Sequence, residues 1–218
     1  MELDALRRLV AQGEGLHLEF KRKARHPEKL AREFIAFANT RGGRLLLGVE
    51  DDGQIFGTKH PGEDLFAMED FLKKNVLPEL AFTCIRVALS ARREVLVFDI
   101  PSSDQKPHFL LPQSDDDRKQ AFIREADMSL AASREMVQIL RYAQRKKGVN
   151  LRVGEAEERL LQHLEKHATI NLAGTMALLR TSRRAASMKL ILLTQAGLLG
   201  IRPTRQGDLF FLDQNAFE

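Results

Sequence analysis

The sequence predicts an α+β/α/β protein, a mixed-sheet α/β domain followed by a small C-terminal winged helix-turn-helix. Three observations carry this expectation. Helical and strand periodicities alternate through the first two thirds of the chain. A basic, glycine-terminated segment, "RYAQRKKGVN", then interrupts them. Three helical patterns and one hairpin fill the remainder. The expected domains are residues 1–147 and 152–218. A chain of 218 residues can bury a core in each of two such domains, and 44% hydrophobic with 29% charged residues excludes a disordered protein.

The elements follow in order. "LDALRRLVAQ" spaces its apolar residues as a helix and "GEG" breaks it. "LHLEF" alternates Leu16, Leu18 and Phe20 against His17 and Glu19, the pattern of a half-buried strand. Glu28 to Asn39 sets Leu30, Phe34, Phe37 and Ala38 on one helical face. "RLLLGVE" is too short for a buried helix and reads as a strand, with "DDG" turning into "QIFG" as a hairpin. A helix from about Glu63 to Val76 stops before Pro78. "FTCIRVAL" and "EVLVFDI" are strands joined at "SARR", and "HFLL" and "AFIRE" bracket a polar loop, "PQSDDDRKQ", expected as an exposed hairpin tip. After a helix from about Ser133 come helices at Glu155–His167, Leu172–Leu179 and Ser182–Gln195, then the hairpin "GLLGIRPTRQGDLFFL".

Composition narrows the function. The single cysteine, Cys84, excludes a disulfide framework and a cysteine zinc cluster and fits a reducing cytoplasm. No apolar stretch reaches transmembrane length, and the N-terminus reads as a mixed-charge amphipathic start rather than a signal peptide, so a cytoplasmic protein without a membrane partner is expected. A net charge of +4 points weakly to an anionic partner; its distribution says more.

From Lys166 to Gly207 no acidic residue occurs, while Lys166, Arg180, Arg183, Arg184, Lys189, Arg202 and Arg205 fall in that window. Glu155 to Glu165 carries four acids and one arginine. Cations therefore gather on the turn, the third helix and the wing, where a winged helix meets DNA. Thr181 or Ser182 would cap the third helix, placing Arg183, Arg184 and Ser187 on its early turns. The alternative is a solvated basic face on a dimerisation module.

"ANTRGGRLLLGVEDDG" poses a separate choice between a phosphate loop and a strand that delivers carboxylates. A P-loop needs lysine and then Ser or Thr after its last glycine, at a helix start. Here Arg44 and a strand follow Gly42–Gly43, so the glycines read as a tight helix-to-strand connection. The acids are left. Glu14, Glu19 and Asp51 could converge on Mg²⁺ or Mn²⁺, hard cations that take oxygen ligands and activate water towards phosphodiesters. Lys21, Arg22, Lys23 and Arg25 would hold an anionic backbone beside them. Read plainly, "EDDG" is an ordinary hairpin turn and Glu19 pairs with a lysine.

"LHLEFKRK", "FIAFANTRGG", "RLLLGVEDDGQIFG", "VLVFDIPSSDQKPHFL" and "FIREADMS", in that order over about Glu14 to Leu140, resemble the Schlafen AlbA-type domain. The resemblance implies an α/β fold and nucleic-acid binding. In the eukaryotic Schlafen branch it further implies a metal-dependent tRNA/rRNA endoribonuclease using three acids, which map by motif to Glu14, Glu19 and Asp51. "GEGLHLEFK" lacks the family's usual "ES", and Glu125-Ala126-Asp127 stands where a glycine follows "IR". A winged helix after this domain is similar to bacterial transcriptional regulators. The expectation is a DNA- or RNA-binding, regulator-like homodimer contacting nucleic acid through Lys21, Arg22, Lys23, Arg180, Arg183, Arg184, Lys189, Arg202 and Arg205. The alternatives are the Mg/Mn-dependent endoribonuclease and, following older descriptions of the family, an ATP-binding regulator.

Overall fold

The computed structural model describes residues 1–112, 114, 118–143 and 153–213. They form two compact units, Met1–Ala131 and Ala132–Glu218. The basic segment expected at the domain boundary lies in large part outside the described residues, as do 113 and 115–117 of the expected loop tip.

The first unit runs α1 (Leu3–Val10), β1 (Leu18–Lys21), α2 (Pro27–Asn39), β2 (Gly43–Leu47), α3 (Pro61–Asn75), β3 (Val76–Leu77), β4 (Thr83–Ser90), β5 (Arg93–Ile100), β6 (Phe109–Leu110), β7 (Phe122–Glu125) and β8 (Met128–Ala131). Its main sheet has the order β1-β2-β5-β4. β1 and β2 are parallel, as their crossover through α2 requires, and β5 runs antiparallel to β2 and β4. This is a mixed sheet.

Both faces of the sheet are covered. Leu45, Leu47, Leu96, Phe98 and Ile100 pack against Phe34 and Phe37 of α2 and Met68 and Leu72 of α3. Alternate residues Leu18, Phe20, Leu46, Val95 and Val97 pack with Leu6 and Leu9 of α1. α2 starts at Pro27, whose fixed φ suits a first helical position. It ends before Gly42, at φ +76°, where a Cβ would sit 2.8 Å from the carbonyl oxygen of Ile100. Only glycine makes that connection without displacing backbone.

Two pairings differ from the sequence reading. "QIFG" makes one bridge, Val49 to Ile55, and no continuing strand. "HFLL" makes a single bridge, Leu110 to Gln120, just before "AFIRE"; β6 pairs instead with β3, and β7 with β8. The β7–β8 turn passes through Ala126 at φ +51°, so alanine holds the left-handed conformation that the absent glycine would adopt freely.

The second unit comprises α4 (Arg134–Ala143), α5 (Glu155–Lys166), α6 (Leu172–Leu179), α7 (Arg183–Gln195) and the antiparallel ribbon of β9 (Leu199–Arg202) and β10 (Leu209–Leu212). Leu160 and Leu164 of α5, Leu190 and Leu193 of α7, Leu199, Phe210 and Ile170 form its core, with Ile139 of α4 packed against it. α4 therefore belongs with the second compact unit, whereas the sequence reading placed it before the boundary.

Candidate nucleic-acid interface

Local capping fixes the basic end of α7. Asn171 starts α6 by accepting the Gly174 N–H at 2.8 Å, and Ser182, rather than Thr181, caps α7 by accepting the Ala185 N–H at 3.3 Å. Arg180 sits between the helices in left-handed geometry, φ 48° and ψ 48°. Arg180, Arg183, Arg184, Arg202 and Arg205 are all exposed, and none has an ion-pair partner among the described residues. Five guanidinium groups on the α6–α7 turn, the first turn of α7 and the ribbon are thus open to an anionic ligand.

Two other expected contacts are placed differently. The Lys189 ammonium pairs with Glu157 of α5, which also caps the Gly154 N–H at 3.1 Å. Lys189 is therefore a tie between helices rather than an open cation. Ser187 is buried and donates to the Glu135 carboxylate of α4 at 2.6 Å, so it does not reach towards a ligand. α4 covers this side of α7 and leaves Arg183, Arg184 and Met188 outward.

In the first unit the acids occupy the loop before β1, β1 itself and the turn after β2. Glu14 accepts the Phe20 N–H at 2.9 Å. It holds its proton more tightly than an ordinary glutamate, chiefly through burial, with the Glu19 and Asp51 charges adding to the effect. Asp51 and its neighbour Asp52 are exposed in the turn. Glu19 departs most from the sequence reading. Its side of β1 faces α2 rather than water, and the residue is only 5% exposed.

Burial of Glu19 is tolerated because it is paired. Lys21, half-buried, donates to it and to the carbonyl of Phe20, so its charge neutralises an internal acid. The proton affinity of Lys21 is lowered by burial but raised overall by Glu19. Arg124, on β7, brings its Nη2 to 2.6 Å from Glu19 Oε2, although no hydrogen bond of good geometry reaches that oxygen. The same guanidinium, 1% exposed, lies 2.9 Å from Glu33 of α2 and donates to the carbonyls of Gly15 at 2.9 Å and Leu18 at 3.3 Å. Burial raises the pKa of Glu33, and Glu19 raises it further.

Arg124 and Glu33 escaped the sequence reading. The signal was in "AFIRE": Phe122 and Arg124 share one side of a strand whose residues on both sides are apolar, and a charge there calls for a buried partner.

Glu14, Glu19 and Asp51 are electrostatic neighbours, but they do not form a divalent-cation site as arranged. Two basic side chains already compensate Glu19, and among the described residues no three His, Cys, Asp or Glu side chains are grouped to hold a metal.

Arg22 and Lys23 follow β1. Arg22 pairs with Glu50 at 3.1 Å and lies 4.2 Å from the centre of the Phe56 ring, while Lys23 is exposed. No described helix is long and apolar enough to cross a membrane.

The family model described as Schlafen, AlbA_2 matches residues 14–133. No curated protein sequence matches the chain. The N-terminal domain of a RecG-related protein of Nitrosomonas europaea is similar at 23% identity over 60% of this chain and 90% of that one, with a TM-score of 0.44. A Corynebacterium diphtheriae protein is similar at 19% identity and a TM-score of 0.43; the match takes in 92% of this chain and spans only 34% of that one.

Proposed function

The chain belongs to the Schlafen AlbA_2 family, and from that premise we propose that it is a nucleic-acid-binding protein that engages duplex DNA in the manner of a transcriptional regulator. In this reading α5–α7 and the β9–β10 ribbon act as a winged helix-turn-helix. α7 presents Arg183 and Arg184 to the groove, Arg180 meets the backbone, and Arg202 and Arg205 on the wing meet a neighbouring phosphate run. A homodimer would double these contacts and set a half-site spacing.

One observation carries the reading. The five arginines are exposed and have no ion-pair partner among the described residues, whereas Lys189, in the same acid-free stretch, is paired. Each cation that replaces a condensed counterion adds affinity, and arginine can also read guanine bidentately. The test is fluorescence anisotropy of a labelled duplex with the full chain at low salt. Arg183→Ala with Arg184→Ala should weaken binding at least tenfold at unchanged thermal stability, and equal binding by the double variant would overturn the reading.

A second reading, a Mg/Mn-dependent endoribonuclease, is favoured by the mutual repulsion of Glu14, Glu19 and Asp51, which a cation would relieve. It requires Glu19 to exchange Arg124 and Lys21 for that cation. EDTA-sensitive cleavage of tRNA that disappears in Glu19→Ala would place this reading first.

A further inference from the structure

A cleft of about 500 Å³ in the first unit opens at the carboxyl end of the parallel pair β1–β2, beside the start of β5. Arg22, Lys23 and Arg25 line one wall, Lys59 and His60 another, and Arg93 completes it. Five permanently cationic side chains therefore face one carboxylate, Asp64. The nearby acids are already engaged: Asp64 accepts the Thr58 hydroxyl, Glu50 pairs with Arg22, Glu94 with Arg86, and Glu63 lies 3.6 Å from His60. Lys23, Arg25 and Lys59 are exposed and have no ion-pair partner among the described residues.

The walls are built rather than draped. Gly57, at φ +67°, packs so closely that a Cβ on Gly48 would lie 2.8 Å from its Cα. Thr58 bonds Glu94 in both directions, at 2.7 and 3.2 Å, which ties the loop to β5. Arg93 Nη1 donates to the carbonyls of Phe56 and Gly57, both at 3.3 Å, which fixes the guanidinium against the loop. Arg22 is held by Glu50 and the Phe56 ring. The N–H groups of Gly57 and Thr58 are both occupied, so recognition falls to side chains.

Like charges converging on one concave volume repel each other, and an anion inside relieves that repulsion. A nucleic-acid strand crossing a surface is matched by cations in a stripe, as on α7 and the ribbon. Cations set on several walls of one concave cleft instead match a compact, doubly charged group.

We propose that this cleft is a phosphomonoester-binding site that takes a nucleotide through its terminal phosphate. Arg25, Lys59 and Lys23 supply charge, and Arg22 and Arg93 supply fixed donors. The phosphomonoester can come from a free mononucleotide or from the 5′ end of a polynucleotide. Arg22 and Lys23, expected from the sequence to meet a nucleic-acid backbone, are assigned here instead, and none of the five arginines that carry the duplex-binding reading lines the cleft, so the two are tested separately.

The full chain is titrated by calorimetry at low salt with AMP, adenosine, inorganic phosphate, and one single-stranded oligonucleotide in 5′-phosphorylated and 5′-hydroxyl forms. The expected result is that AMP or the phosphorylated strand binds at least tenfold more tightly than its dephosphorylated counterpart. Arg25→Ala with Lys59→Ala, both exposed and removable without unfolding, should abolish that difference. Binding of AMP identifies a free nucleotide as the source, and binding of the phosphorylated strand alone identifies a polynucleotide end. Absence of any preference for the phosphorylated form, or a preference that survives the double variant, overturns the proposal. Arg183→Ala with Arg184→Ala provides the separation: a failure of duplex binding alone leaves the phosphomonoester preference in place.

Discussion

Arg124 organises the first unit more than any acid singled out by its sequence motif. Its guanidinium joins the loop before β1 through Gly15, β1 through Glu19 and Leu18, and α2 through Glu33, while the ring of Phe37 lies 5.0 Å beneath it. The guanidinium is 1% exposed and Glu19 is buried beside it, so the carboxylates depend on it for compensation. Replacing one member of a buried ion cluster leaves the others charged and unpaired, a penalty of about 3–5 kcal/mol. Arg124→Met should therefore lower the unfolding free energy by about that amount, read as a shift in the urea midpoint at pH 7. The change fills similar volume, so a loss below about 1 kcal/mol would mean that the cluster is solvated in solution and that Glu19 is free for other chemistry.

At the scale of elements, the sequence was legible wherever a period was long and one-sided. α2 with Leu30, Phe34 and Phe37, β2 with its Leu45–Leu47 run, and the capped α6 and α7 all follow from local pattern. Pairings set by distant chain were not legible. β6 is two residues long and its partner β3 begins at Val76, so no local signal joins them. β8 carries Met, Ser and Leu at intermediate burial, too weak an alternation to announce a strand. The candidate site divides in the same way. Exposed arginines could be read from an acid-free run, and so could the pairing of Lys21 with Glu19 two residues before it, but the partners of Lys189 and Ser187 come from elements remote in sequence. Arg180 offers a test at this scale because it combines backbone strain with an open charge. A non-glycine residue at φ 48° costs about 1 kcal/mol, which glycine avoids, although glycine also loses more chain entropy on folding. Arg180→Gly should therefore leave thermal stability unchanged or raise it by up to about 1 kcal/mol, while duplex affinity falls severalfold. A clear loss of stability would show instead that the arginine side chain props the α6–α7 turn.

Over the whole molecule, a net charge of +4 is modest, yet its distribution is uneven. The first unit confines compensated acids around Arg124 and collects open cations in one cleft; the second collects open cations on α7, its preceding turn and the ribbon. Association through the second set has a signature that no contact inventory can replace, since each phosphate neutralised releases condensed counterion. If each of the five arginines meets one phosphate, log K against log salt should fall with a slope of about −4.5. Removing Arg183 and Arg184 together should reduce the slope to about −2.7, and removing Arg202 and Arg205 should reduce it equally, because the two pairs engage separate phosphates. Equal reductions mean that helix and ribbon hold the duplex together. A reduction from one pair alone confines binding to that element. A slope near zero in the unaltered chain would mean that duplex affinity, if any, arises from something other than these charges.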